Sequence, residues 1–223
     1  EAVLQTEADD ITLAGLRQDA GRLGVWILIG SLALVPDHGE RFVNRSFLID
    51  PDGGVRARYD KIHMFDVDVS EKETYRESDG FRPGEEAVLT QVDDVPVGLT
   101  ICYDVRFPYL YRGLSKSGAK VLTVPAAFTP ETGVAHWETL LRARAIETGS
   151  YVLAPAQCGT HKASRGKTRS THGHSLAVDP WGRVLVDGGS APGVNMVELD
   201  LDVVDDVRRR LPSLSHERTY KMA

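Results

Sequence analysis

Gly98-Leu99-Thr100-Ile101-Cys102-Tyr103-Asp104 decides how this chain is read. Residues 95–101 have the apolar character of a buried strand, and a helical pattern opens at about Pro108 and stops at Gly118. The cysteine therefore stands at the exposed C-terminal end of a strand, where a helix begins. Backbone N–H groups at such a place lower a thiol pKa and hold an oxyanion. The competing reading is a small buried hydrophobe, because free cysteine is among the most buried residue types.

The flanking sequence repeats the theme. Residues 1–5 and 9–23 read as helix, closed by Gly24 as a C-cap, and the apolar run 25–29 fits a strand covered on both faces. Residues 42–50 and 55–59 flank Pro51-Asp52-Gly53-Gly54, which is turn chemistry and predicts a hairpin. Residues 61–81 have weak periodicity and many charges, and read as a long loop of the kind that is usually functional. A buried strand at 121–124 leads into Pro125-Ala126-Ala127-Phe128-Thr129. Val134, Trp137, Leu140, Leu141 and Ala145 then keep helical spacing up to Gly149. Residues 151–156, 175–178, 184–186 and 196–201 read as strands, with Pro180-Trp181-Gly182-Arg183 as a turn between two of them. Strands alternate with helices early and become hairpin-like late. That order predicts a mixed-sheet α/β protein with helices outside, one domain over residues 1–223 without a linker. Such a domain more naturally opens on a buried strand than on a helix, so a first strand is expected to precede Glu1.

Bulk properties exclude several function classes. The chain has 223 residues, a net charge of −6, 42% hydrophobic and 26% charged residues. That length suits one domain with a large core. Lys and Arg are scattered, whereas phosphate-backbone binding needs clustered positive charge, so nucleic acid is not expected as a partner. No apolar run approaches the roughly 20 residues that cross a bilayer, and no signal-peptide pattern is present. Two cysteines, Cys102 and Cys158, do not make a disulfide framework, so a cytoplasmic setting is expected.

Several motifs extend the signal around Cys102. Lys61-Ile62-His63 follows a strand, and a lysine there can point into a cleft, although an arbitrary loop lysine is usually just solvated. Glu77-Ser78 precedes Arg82-Pro83-Gly84. Cys102 continues into Tyr103-Asp104-Val105-Arg106-Phe107-Pro108. Downstream come Pro125-Ala126-Ala127-Phe128, Thr132-Gly133-Val134-Ala135-His136-Trp137-Glu138, Leu141-Arg142-Ala143-Arg144-Ala145-Ile146-Glu147, Gly173-His174-Ser175 and Asp179-Pro180-Trp181-Gly182. In this order they resemble the motifs of the nitrilase superfamily of carbon–nitrogen hydrolases, over residues from about Leu13 to Pro212. Ala156-Gln157-Cys158-Gly159, with His161 behind, is most similar to the deaminated glutathione amidase branch. The ω-amidases share the Cys-Tyr-Asp and His-Trp motifs but resemble that run less.

The resemblance implies a four-layer α-β-β-α sandwich of two mixed sheets with helices outside. It implies a Glu–Lys–Cys triad in which Cys102 is the nucleophile and forms a thioester. Lys61 and the Tyr103 N–H stabilise the oxyanion, and Glu77 orients lysine and substrate. Arg106, Phe128 and His136 are expected in the substrate pocket. No cofactor or metal is implied. The expected reaction is hydrolysis of a primary amide of a small carboxylate-bearing metabolite with release of ammonia, in a homodimer or larger homo-oligomer. Alternatives are an ω-amidase, a true nitrilase or carbamoyl-amide hydrolase, and a catalytically silent binding protein of the same fold.

Two positions depart from the family pattern. The first catalytic glutamate follows a Pro at the end of the first strand; Glu1 lies too close to the helix containing Leu13 to match it, so the general base is expected upstream of Glu1. Tyr109 stands where relatives usually carry Glu after Phe-Pro; it keeps hydrogen bonding without charge.

Other residues have plainer uses. Arg106 either binds a substrate carboxylate or, more commonly for such a residue, forms a structural ion pair near Cys102. His174 reads as a hydrogen-bonded structural residue, with His161 and His172 lacking the company of a ligand cluster. Cys158 and Trp137 read as packing residues, and Arg208-Arg209-Arg210 as a complement to a helix dipole.

Overall fold

The computed structural model describes residues 4–70, 73–162 and 168–223. The first sheet contains β1 (Gln5–Thr6), β2 (Ile27–Val35), β3 (Val43–Ile49) and β4 (Val55–Asp60) in that spatial order, with α1 (Ile11–Leu23) packed on one face. A hairpin of β5 (Asp66–Ser70) and β6 (Glu73–Arg76) leads to β7 (Val88–Val92) and β8 (Val95–Leu99). Then come α2 (Pro108–Lys116), β9 (Val121–Thr123), α3 (Pro130–Thr148) and β10 (Tyr151–Ala154). A second hairpin, β11 (Cys158–His161) and β12 (Arg169–His172), precedes β13 (Leu176–Val178), β14 (Val184–Asp187) and α4 (Asp202–Arg210). The second sheet runs β14-β13-β10-β9-β8-β7; β8, β9 and β10 are parallel and its other pairs antiparallel.

Alternation along the strands sorts the apolar residues into three cores, and the three cores define four layers. Leu13 and Ala20 of α1 meet Ile29, Phe47 and Ile49 on one side of the first sheet. Leu28, Ala57 and Tyr59 on its other side meet Val97, Leu99, Val121 and Tyr151 of the second sheet. The intervening residues Leu122, Val152 and Ala154 face away and pack under Leu114 of α2 and Trp137 and Leu141 of α3. A period of two thus makes both faces of each sheet buried, which is the α-β-β-α sandwich. Burial of that apolar surface is the dominant favourable contribution to folding.

Local chemistry fixes the boundaries. Asp10 caps α1 by accepting from Leu13 N at 2.7 Å, and Gly24 ends it at φ 64°, donating to Ala20 O at 2.8 Å. At the β3–β4 turn Asp50 accepts from Asp52 N and Gly54 N, and Gly53 has φ 80°. A Cβ at Gly53 would also lie 2.6 Å from Arg17 O, so α1 and the turn touch only because that residue is glycine.

Several expectations need correcting. Gln5 does not lie in a helix: Gln5–Thr6 pairs with Leu34 and Val35 as a parallel strand, because the Asp10 cap starts the helix and leaves the preceding residues extended. Glu1 lies outside the described residues. The segment 61–81 is not loop throughout, since it folds its charges into the β5–β6 hairpin, where Arg76 pairs with Asp68 at 2.8 Å. Residues 196–201 are not a strand; Met196 is exposed while Leu199 and Leu201 pack on the core between the sheets. β7 went unseen because it is short, and the β11–β12 hairpin because it is short and polar-rich.

Candidate active site

The three parallel strands of the second sheet all end at one cavity. Past their regular ends they keep pairing: Cys102 N donates to Pro125 O at 2.9 Å, Ala126 N to Pro155 O at 2.9 Å, and Gln157 N to Ala126 O at 2.9 Å. The carboxyl ends of parallel strands are where α/β sheets usually bind ligands. The cavity measures about 650 Å³, and Cys102, Ala127, Phe128 and Gln157 line it from this side. From the first sheet, a bulge at Gly30-Ser31 turns toward it; a Cβ at Gly30 would already lie 3.0 Å from Pro125 Cβ.

Cys102 occupies a left-handed conformation, φ 50°, at the start of a 3₁₀ turn spanning Cys102–Arg106. Non-glycine residues seldom adopt that conformation, and where they do the site is often functional. Tyr103 follows as the second residue of the turn, so its N–H has no acceptor within it. Burial pushes the Cys102 thiol pKa up; the Lys61 ammonium and the Ala127 N–H oppose that rise, Glu77 adds to it, and Arg169 opposes it.

Lys61 leaves the end of β4 and is only 3% exposed. Its backbone is pinned by Lys61 N to Asn44 O at 2.9 Å and by Gly84 N to Lys61 O at 2.8 Å. The ammonium is paired with Glu77, whose Oε2 also accepts from Phe65 N at 2.6 Å. Lys61, Glu77 and Cys102 therefore line one cavity although they come from three separate segments. Glu77 is the one carboxylate lining it among the described residues.

Of the remaining expected residues, Tyr103, Arg106 and Phe128 line the cavity and His136 does not. His136 is on the exposed side of α3 and accepts from Arg106 Nη2 at 3.2 Å, one step back from the cavity. Among the described residues Arg106 forms no ion pair, unlike the commoner use of such a residue. Its guanidinium stacks over Phe128 at 5.6 Å and Tyr103 at 5.8 Å, and burial lowers its pKa. His174 hydrogen-bonds Asp187 at 3.0 Å, and His161 bonds Thr171 at 2.8 Å. Trp137 is buried and donates to His174 O at 2.7 Å, while Cys158 is partly buried and outside any disulfide.

Residues 2–209 match the carbon–nitrogen hydrolase family. The deaminated glutathione amidase of Synechocystis sp. is 47% identical over 205 residues, spanning 90% of this chain and 74% of that protein. The chain belongs to the carbon–nitrogen hydrolase family. Among solved structures it is similar to the Caenorhabditis elegans NitFhit protein, with TM-score 0.83 and 40% identity, covering 95% of this chain and about half (51%) of that one. It is also similar to a mutant amidase from Nesterenkonia sp. AN1 whose active-site cysteine has undergone Michael addition of acrylamide. There the TM-score is 0.71 and the identity 30%, over 90% of this chain and 73% of that one.

In this hydrolase two further residues belong to the site and were not singled out from sequence. Asp104, fully buried, organises the turn behind Cys102: Oδ2 accepts from Tyr59 Oη at 2.6 Å and Ile101 N at 2.8 Å. Oδ1 accepts from His63 N at 3.0 Å and faces His63 Nδ1 at 2.7 Å. It thereby ties the segment after Lys61 to the segment carrying Cys102, and it raises the Tyr59 pKa, an effect second to burial. The His63 ring lies flat on Phe107 at 3.6 Å, and Nε2 meets Tyr109 Oη, so Tyr109 keeps a hydrogen bond at its position. Arg169 of β12 lines the cavity and donates to Ala127 O at 2.5 Å. Its neighbours give it no motif, whereas Asp104 stood inside the quoted Cys-Tyr-Asp run and its burial was the signal to weigh.

Proposed function

We propose that this hydrolase cleaves an amide of a small carboxylate-bearing metabolite through a thioester on Cys102, with deaminated glutathione as the leading substrate. The observation that carries the reading is the convergence of Cys102, in its left-handed turn, with the buried Lys61–Glu77 pair. Arg106, a cavity arginine without a carboxylate partner among the described residues, supports an acidic substrate.

The thiol gives its proton to a general base and the thiolate attacks the carbonyl carbon. The developing oxyanion is met by the Lys61 ammonium and the Tyr103 N–H. The C–N bond breaks and the nitrogen leaves with a proton. Water, deprotonated by the same base, then hydrolyses the thioester and returns the thiol. Glu77 is not used as that base, because its Oε2 already accepts from Lys61 Nζ and Phe65 N; the base in this reading is the family's first glutamate.

The amide bonds left in glutathione after loss of its amino group are secondary. On that substrate the leaving group is an amine, and the expected ammonia belongs to primary amides such as α-ketoglutaramate. Incubating full-length protein with both compounds and assaying amine and ammonia separately tests the reading. Amine release from deaminated glutathione supports it, ammonia release from α-ketoglutaramate alone favours an ω-amidase, and neither product with a reactive Cys102 contradicts it. Exposed apolar side chains at Tyr109 of α2 and Val134 and Ile146 of α3 support a homo-oligomer, whose mass in solution checks that part. The two free cysteines support a reducing, cytoplasmic setting. Among the described residues no helix is long and apolar enough to cross a membrane.

A further inference from the structure

Among the described residues, two cavity cations remain once Lys61 is paired with Glu77. The Arg106 guanidinium stacks over Phe128 and Tyr103. Arg169 projects from β12, stacks over Tyr75 at 5.8 Å, and donates from Nη2 to Ala127 O at 2.5 Å. Ala127 is also the residue whose N–H faces the Cys102 sulfur, so Arg169 is joined to the nucleophile through a single residue. Both guanidinium groups act electrostatically on Cys102.

Neither has a carboxylate within ion-pair distance among the described residues, although Arg45, Arg58, Arg76, Arg112 and Arg144 all do. Two unpaired cations at one cavity repel each other, and bound anions relieve that repulsion. A planar guanidinium offers a carboxylate paired donors in fixed geometry. A cavity of about 650 Å³ accommodates a molecule of tripeptide size.

We propose that Arg169 is a specificity-determining residue that holds one carboxylate of a substrate carrying two, while Arg106 holds the other. This rests on the amidase reading and narrows it: the preferred substrate is a dianion with the cleaved amide between its acidic ends. A single-carboxylate amide leaves one guanidinium uncompensated.

The test uses full-length protein, its Arg169→Gln, Arg169→Lys and Arg106→Gln variants, and three ligands. These are deaminated glutathione and two analogues, each with one carboxylate replaced by an N-methylcarboxamide. In the unsubstituted protein each replacement should lower kcat/KM by about tenfold or more, the size expected when one partner of a charge-assisted pair is removed. In Arg169→Gln the penalty for one replacement should vanish while the other persists, and Arg106→Gln should show the reverse. Arg169→Lys should restore part of the lost discrimination. Both penalties persisting undiminished in Arg169→Gln would overturn the proposal, as would a variant that shifts only the pH profile of Cys102 alkylation. If the unsubstituted protein cleaves none of the three, the amidase reading fails, and the same ligands are scored for protecting Cys102 against iodoacetamide. Protection by the dianion exceeding that by either analogue, with the excess lost in Arg169→Gln, then upholds the proposal. Equal protection by all three overturns it.

Discussion

Lys61 and Glu77 form an ion pair in which the lysine side chain is 3% and the glutamate side chain 16% exposed. Glu77 also holds the Phe65 N–H, so one carboxylate fixes both the ammonium and the backbone just beyond it. Removing one partner of a buried pair costs about 3–5 kcal/mol, because the other charge stays buried and uncompensated. Glu77→Ala is therefore expected to lower unfolding free energy by about that amount. Glu77→Gln, which keeps shape but not charge, is expected to lower kcat by about 10²-fold through a misplaced ammonium. Urea titration and steady-state kinetics check the two.

Asp104, itself fully buried, is the acceptor for Tyr59 Oη, Ile101 N and His63 N. Each buried donor left without an acceptor costs about 1–3 kcal/mol. Asp104→Ala should thus destabilise the protein by about 3 kcal/mol or more, seen as a lower urea midpoint with unchanged slope. It should also slow alkylation-dependent labelling less than it slows turnover, since the thiol survives while its turn loosens.

The pH dependence of Cys102 follows from the direction of its shift. Burial raises the thiol pKa, so at neutral pH the group is protonated and needs a base. Iodoacetamide labelling of Cys102 should rise with pH to a midpoint above that of an ordinary thiol. Lys61→Met removes the largest opposing influence and should move the midpoint higher still. Because the folded pKa is the raised one, the associated stability is present below the ordinary thiol pKa and is lost as pH climbs through the folded value. A labelling midpoint below the ordinary thiol range would contradict this.

Gly133 lets α3 approach β12: a Cβ there would lie 2.2 Å from His172 Cγ. His172 N in turn donates to Phe128 O at 3.0 Å, which seats the β11–β12 hairpin beside the cavity. Gly133→Ala should cost about 1–3 kcal/mol by forcing these elements apart. The expected readout is a fall in Tm of about 2–4 °C per kcal/mol, with faster proteolysis within the hairpin.

Much of this architecture was readable because its signals are local. The turn at Pro51-Asp52-Gly53-Gly54, the stops at Gly24 and Gly149, and the strand delivering Cys102 each follow from residues within a few positions of one another. Cys102 and Lys61 were marked by their strand ends, but their union with Glu77 came from a family resemblance; periodicity does not reveal that three separate segments share a cavity. Arg169 was missed because its meaning lies in the tertiary contact with Ala127, and His136 was overestimated because its helix turns it outward. Gln5–Thr6 was misread because a two-residue strand exists only where a partner edge awaits it.

The most direct test of the central claim is turnover of deaminated glutathione by full-length protein and by its Cys102→Ala variant, measured as amine release. The account predicts a loss of at least about 10³-fold in the variant, since Cys102 is the one thiol lining the cavity among the described residues. A Cys102→Ala protein that keeps cleaving within about tenfold of the unsubstituted rate would contradict it, since that would put less than about 1.4 kcal/mol of the catalysis on the thiol.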